Sequence, residues 1–202
     1  MLNRFYSLLS DRLGRLFKKD KDRDFLFDLI PKNSVGAEIG VHLGDFSALC
    51  ARRVEPRLLH LIDPWVYHQE ARYKDAWYGG QAESGQREMD ERYQKVLNRF
   101  EDEIKTGEIQ VHRGYSGEVL NGFADAGLDW IYIDGNHLYE YVKADLELSF
   151  NKTKFGGLIL GDDYHEGGWW EGGVKKAVDE FARRNDVELL AARNGQFAFR
   201  KK

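Results

Sequence analysis

From Val35 onward, short apolar stretches of strand length alternate with segments of helical period. The strand-like runs are 35–40 (VGAEIG), 58–62 (LLHLI), 108–112 (EIQVH), 128–133 (LDWIYI), 157–161 (GLILG), 187–191 and 196–200. Helical segments fill the gaps at 46–53, 86–104, 139–150 and 173–184. This alternation predicts a doubly wound α/β domain, a mostly parallel sheet with helices on both faces. The last two strand runs are separated only by residues 192–195, with Asn194–Gly195 at the turn. That is a hairpin signal, so one terminal strand is expected to run antiparallel.

Residues 1–24 read differently. Leu2, Phe5, Leu8, Leu9, Leu13, Leu16 and Phe17 recur at three- and four-residue steps, the pattern of an amphipathic helix. Its other face is basic, with Arg4, Arg12, Arg15, Lys18, Lys19, Lys21 and Arg23 against Asp11, Asp20 and Asp22. The expected organisation is an N-terminal helical extension over 1–24 and one domain over 25–202. A basic amphipathic helix fits an anionic membrane surface, and it equally fits packing on its own domain or on a second subunit in a homo-oligomer.

Composition narrows the classes. The chain has 202 residues, 42% of them hydrophobic and 32% charged, and its 5 Trp, 10 Tyr and 12 Phe are those of a packed domain. The formal net charge is −4. With the N-terminal segment basic, the remainder is more acidic still, which argues against a nucleic-acid partner. The single cysteine, Cys50, excludes a disulfide framework and fits a reducing, cytoplasmic setting. Any metal must then sit on oxygen or imidazole.

Two clusters carry candidate chemistry. The first is Glu38-Ile39-Gly40-Val41-His42-Leu43-Gly44, which ends the first strand and opens a helix with Ser47 in its first turn. Gly40 permits a tight turn, Gly44 permits close approach, and the helix N-terminus offers N–H groups to a ligand. Asp63 ends the second strand, placed to accept ribose hydroxyls. His42 stands where a dinucleotide fingerprint has its middle glycine. A carboxylate such as Glu38 at an apolar strand end calls for a cationic partner. The ammonium and sulfonium of S-adenosylmethionine supply one, whereas the pyrophosphate of NAD would be repelled. A salt bridge to a neighbouring Lys or Arg would serve Glu38 as well.

The second cluster is Asp134-Gly135-Asn136-His137 after the fourth strand and Gly161-Asp162-Asp163-Tyr164-His165 after the fifth. Both fall at the carboxyl edge, where ligands bind in such sheets. Asp134, Asp162 and Asp163 together would repel one another unless a hard divalent cation joined them, Mg²⁺ before Mn²⁺ or Ca²⁺. His137 suits a general base.

These runs, AEIGVHLGDFS, LIDPW, DWIYIDGNHLYEYVKADL, GGLILGDDY and GVKKAVDEF, resemble class I S-adenosylmethionine-dependent methyltransferases, and among them the small-molecule group called methyltransferase family 24. The resemblance covers roughly residues 33–200. It implies a Rossmann-like seven-stranded sheet whose last strand is antiparallel. It implies that Glu38 and Gly40 meet the methionine end of the cofactor, that Asp63 holds the ribose, and that Tyr115 and Ser116 lie near the adenine. Metal-dependent O-methyltransferases of the catechol and macrolide-sugar types place an Asp after strand four and an acidic–polar pair after strand five, and the sugar enzymes add a histidine base. Asp134, His137, Asp162 and Asp163 match that arrangement. A further acidic ligand has no clear place here; Glu70 and Asp75 are candidates by position.

The expected reaction is methyl transfer to a hydroxyl of a small molecule, a sugar or glycan precursor, on a divalent metal with His137 as base. The aromatic insertion 64–85, holding Trp65, Tyr67, Tyr73, Trp77 and Tyr78, and the run Gly167-Gly168-Trp169-Trp170-Glu171-Gly172-Gly173 are expected to overhang the carboxyl edge. They suit either an acceptor site or a satellite core. A lipid-linked glycan would fit the basic N-terminal helix. The competing readings are a metal-independent methyltransferase, a nicotinamide oxidoreductase, and a non-catalytic binding protein that keeps the fold.

Overall fold

The computed structural model describes residues 23–184 and 186–202. The amphipathic helix expected over 1–24, with its membrane or subunit contacts, lies almost entirely outside the described residues. Residues 23–27, at its end, are helical.

The strands are β1 (Val35–Ile39), β2 (Leu58–Asp63), β3 (Ile109–Arg113), β4 (Leu128–Ile133), β5 (Thr153–Gly161), β6 (Val187–Arg193) and β7 (Gln196–Lys201). They form one sheet in the order β3-β2-β1-β4-β5-β7-β6. The pairings from β3 through β5 are parallel, and β7 is antiparallel to both β5 and β6. The hairpin at Asn194–Gly195 therefore does what its sequence predicts: both residues have positive φ, 54° and 73°, as a tight turn of this kind needs.

The helices are α1 (Asp45–Val54), α2 (Gln86–Arg99), α3 (Glu101–Thr106), α4 (Ser116–Asn121), α5 (Tyr139–Lys152) and α6 (Gly173–Phe181). The helix expected over 86–104 is two helices. The chain turns at Phe100, φ −114°, whose buried ring sits where a Cβ on Gly44 would fall, 2.7 Å away. Seating that ring beneath the glycine turn breaks the helix. The short α4 had no periodic signal long enough to announce it. On α5, Val142, Asp145, Leu146 and Ser149 are buried, a stripe at three- and four-residue steps that faces the sheet.

Two apolar layers cover the sheet. One joins Leu26, Phe27 and Ile30 to Phe46, Cys50 and Val54 of α1, to Trp130 and Tyr132 of β4, and to Leu158 and Leu160 of β5. The other joins Ile131 and Ile133 to Val142, Leu146, Val174, Val178 and Phe181. Gly36 allows the first layer to close, since a Cβ there would lie 2.0 Å from the Trp130 indole.

Register aligns the functional edge. Ile39 pairs with Ile62 and Ile133, and Ile133 with Gly161, so Gly40, Asp134 and Asp162 leave the sheet side by side. The ladder continues into the loops: Gly40 N donates to Ile62 O (2.9 Å), Asp134 N to Ile39 O (2.7 Å) and Asp162 N to Ile133 O (3.0 Å).

At the far end of the sheet, His60 Nδ1 and His112 Nε2 share a hydrogen bond of 3.0 Å beside Phe123. Burial, then the neighbouring His112, lowers His60 to about 4. The unfolded chain therefore binds more protons than the folded one between that value and an ordinary histidine pKa, so stability falls as pH drops through this window. His60→Gln should flatten that loss: between about pH 7 and about pH 5 the wild-type Tm falls further than the variant's. Parallel Tm curves would refute the assignment.

Candidate active site

The glycine turn is held by Asp63. Its Oδ2 accepts from Val41 N and His42 N, both at 2.9 Å, and its Oδ1 accepts from Trp65 N at 2.7 Å and from the Tyr78 hydroxyl. The residue is 1% exposed. The resemblance implies a ribose contact for Asp63, and here its carboxylate serves donors of the protein itself. Both oxygens are committed to the protein, and the carboxylate ties the turn to the insertion instead. Gly40 makes the tight turn expected of it. Its φ is +90°, and a Cβ would lie 2.0 Å from Asp134 O, so the turn can press against the β4 loop only with glycine there. Gly44, φ +77°, is the N-cap of α1.

Glu38 is buried beneath this turn, and Ser47 Oγ donates to its Oε2 at 2.5 Å. Burial pushes Glu38 up to about 8, against the lowering effect of the Ser47 hydrogen bond. A cation brought close to it would favour the ionised form. Tyr115 is 48% exposed at the start of α4. Ser116 Oγ donates to buried Asp145 Oδ1 at 2.5 Å, a partner on α5 that sequence reasoning missed.

At the β4 and β5 ends the three aspartates part company. Asp163, with φ +57°, puts Oδ2 2.7 Å from His137 Nε2, and Asp134 Oδ1 lies 3.6 Å from the same nitrogen. Burial alone would depress the imidazole, but the neighbouring Asp134 and Asp163 carboxylates hold it up to about 9. Asp162 is 4% exposed and turns the other way, its Oδ2 taken by Arg23 and its Oδ1 by Gln196 Nε2 and by Asp163 N (2.8 Å). Of the expected metal set Asp134, Asp162 and Asp163, the structure brings Asp134 and Asp163 together with His137 and turns Asp162 toward other partners. The donor atoms that gather within 4.8 Å of one another belong to Asp134, His137 and Asp163. Neither Glu70 nor Asp75 joins them; Glu70 lies 3.6 Å from His68.

Arg23 was counted only as part of a basic helix face. Its guanidinium is buried, 5.2 Å from the centre of the Phe46 ring and 5.7 Å from that of Tyr132. Nη2 donates to Asp134 Oδ2 at 3.1 Å as well as to Asp162.

Aromatic residues wall His137. Trp170 stacks on His137 (4.7 Å, 29°), Trp169 meets both His137 (6.0 Å) and Tyr73 (5.5 Å) edge-on, and Asn136 Nδ2 donates to the Tyr73 hydroxyl at 2.8 Å. The insertion divides between the two expected roles. Trp65 is core, its Nε1 donating to His42 O at 2.9 Å, whereas Trp77 is 55% exposed with its ring 4.5 Å from that of His42.

The sequence profile of methyltransferase family 24, described as "Methyltransferase domain", matches residues 37–164, well over half of the chain. The chain belongs to this methyltransferase family. No curated protein matches it. Among solved structures it is similar to cofactor-bound Rv0187 from MTB, at 13% identity over 94% of this chain and 88% of that one, TM-score 0.62. It is also similar to the O-methyltransferase TomG from Streptomyces achromogenes, in complex with SAM, at 15% identity over 83% and 72%, TM-score 0.56. A third is the O-methyltransferase from Bacillus cereus in complex with SAH, at 15% over 84% and 74%, TM-score 0.56. At such identities these establish the class I methyltransferase fold. Among the described residues, no helix is long and apolar enough to cross a membrane.

The Asp63 reading has a direct consequence. Asp63→Ala leaves three backbone N–H groups and the Tyr78 hydroxyl without their acceptor, and should cost roughly 2 kcal/mol or more in urea unfolding. A loss within the usual surface range of about 0.5 kcal/mol would show that water replaces the carboxylate freely.

Proposed function

We propose that this methyltransferase moves a methyl group from S-adenosylmethionine to a hydroxyl of a small molecule, with His137 as general base. The observation that carries the reading is the placement of His137 between Asp134 and Asp163 at the carboxyl edge, walled by Trp169, Trp170 and Tyr73.

Bound S-adenosylmethionine supplies a methyl group on a sulfonium, which passes to the acceptor oxygen and leaves S-adenosylhomocysteine. The residues present fit it. Glu38 is a buried carboxyl whose ionised form a ligand cation would stabilise, and Gly40–Gly44 lead into the N-terminus of α1. Tyr115 and Ser116 stand at the adjoining strand end, suited to the adenine side. Asp134 and Asp163 orient the imidazole through Nε2, and His137 takes the acceptor's hydroxyl proton at its other ring nitrogen, Nδ1. The aromatic walls exclude water and favour flat or ring-shaped acceptors, an aryl ring or a sugar. Trp170 Nε1, buried without a hydrogen-bond partner among the described residues, is a donor available to an acceptor oxygen. Neighbours described as O-methyltransferases support oxygen as the accepting atom.

A second reading has one observation in its favour. Asp134, His137 and Asp163 could hold a divalent cation, since their donor atoms lie within 4.8 Å of one another. Such an ion would lower the acceptor hydroxyl's pKa. His137 would then be a ligand rather than the base.

Under the first reading, His137→Gln should lower methyl transfer by about 10²- to 10⁴-fold while S-adenosylhomocysteine affinity in calorimetry stays near wild type. The wild-type rate should climb with pH toward about 9, because the base form of His137 appears only as that pKa is approached. Equal loss of rate and affinity would make His137 a binding residue.

Glu38 gives a separate test. Its proton must leave before it can meet a cation, so S-adenosylmethionine affinity should rise with pH toward about 8 and then level off. Glu38→Gln should bind more weakly and lose that slope. A slope retained in the variant would assign the titration elsewhere.

A further inference from the structure

We propose that Arg23 is a resident cation of the acidic edge, neutralising Asp134 and Asp162 beside the Asp134–His137–Asp163 donor set that a divalent metal would otherwise use, and so making methyl transfer by this chain independent of metal. The inference rests on the proposed function for its catalytic meaning, since it concerns the same edge.

Four observations place Arg23 in this role. Its Nη2 donates to one oxygen of Asp134 and one of Asp162, bridging two adjacent strand ends with a single group. Its side chain is 7% exposed, and it lies over the Phe46 and Tyr132 rings, where a cation gains from the ring faces. The chain that carries it is anchored: Leu26, Phe27 and Ile30, a few residues on, belong to the core under α1. A guanidinium so placed is part of the packed structure. Finally, it reaches the base through both of its partners. Asp134 presents its other oxygen to His137, and Asp162 accepts from the backbone N–H of Asp163, whose own carboxylate meets His137 at 2.7 Å. Arg23 is therefore a positioning residue, acting on His137 through the two aspartates.

Charge decides against a second cation in the same place. Asp134 and Asp162 are already compensated by a group that cannot lose its proton, and a divalent ion would have to approach within a few ångströms of it. Taking the positive charge from residue 23 while keeping its bulk would remove the guanidinium's charge from the two carboxylates and raise the affinity of this edge for a metal cation.

The test is Mn²⁺ binding followed by electron paramagnetic resonance, on the full chain without donor or acceptor. Wild type should leave Mn²⁺ free in solution. Arg23→Met should bind it, with affinity tighter than wild type by roughly tenfold or more, and Arg23→Lys, which restores a charge, should again leave it free. Chelator treatment of wild type should leave methyl transfer unchanged. Mn²⁺ binding by wild type comparable to that of Arg23→Met would overturn the proposal, as would a folded Arg23→Met that binds none. Were Arg23→Met unable to fold, Mn²⁺ binding by wild type or a chelator-sensitive wild-type rate would still refute it, while Mn²⁺ left free by wild type with a rate the chelator does not change would uphold it. Because the resonance measurement involves no methyl donor, its failure leaves the methyl-transfer reading intact. Failure of wild type to bind S-adenosylhomocysteine would remove that reading alone.

Discussion

The guanidinium of Arg23 between Asp134 and Asp162 is the interaction on which the edge of this protein depends. Adjacent parallel strands in register deliver Asp134 from β4 and the pair Asp162–Asp163 from β5 to one edge, and side-by-side carboxylates repel one another in a site partly shielded from water. One buried cation relieves this and sorts the aspartates into roles. Asp162 becomes structural, satisfied by Arg23, Gln196 and the Asp163 amide. Asp134 is shared between Arg23 and His137, and Asp163 is turned toward His137 by a left-handed backbone. The imidazole is thereby bracketed by two carboxylates without either being buried and bare.

The donor side is organised by the opposite device. There a carboxylate, Asp63, gathers N–H and O–H donors and shapes the glycine turn, while a second one, Glu38, is kept in reserve beneath it. The two halves meet at Gly40, where the turn lies against the Asp134 carbonyl too closely for any side chain.

Much of this was legible in the sequence because it depends on period and register. Alternating runs gave the sheet and its hairpin, and the strand ends gave Glu38, Asp134, His137 and Asp163 at one edge. What was not legible depends on side-chain direction. Successive residues Asp162 and Asp163 point to different partners, and only a positive φ at Asp163 separates them. Asp63 carries the right residue type for a ribose, but the protein's own amides fill it. Arg23 was hidden by its company: in a run of lysines and arginines, no pattern marks the one that turns inward. The split at Phe100 was hidden likewise, since a helix broken to seat one ring keeps an apolar period on either side.

The Asp63 carboxylate joins the glycine turn on one side to Trp65 and Tyr78 of the insertion on the other. That insertion also carries Tyr73, which stands at the base through Asn136. Glycine turn and aromatic wall therefore share an anchor in Asp63. Under the proposal that these form the donor and acceptor halves, the wall cannot be remodelled freely in evolution. A change that shifts Tyr78 or Trp65 also loosens the turn, so lineages that alter one half are expected to carry substitutions in the other.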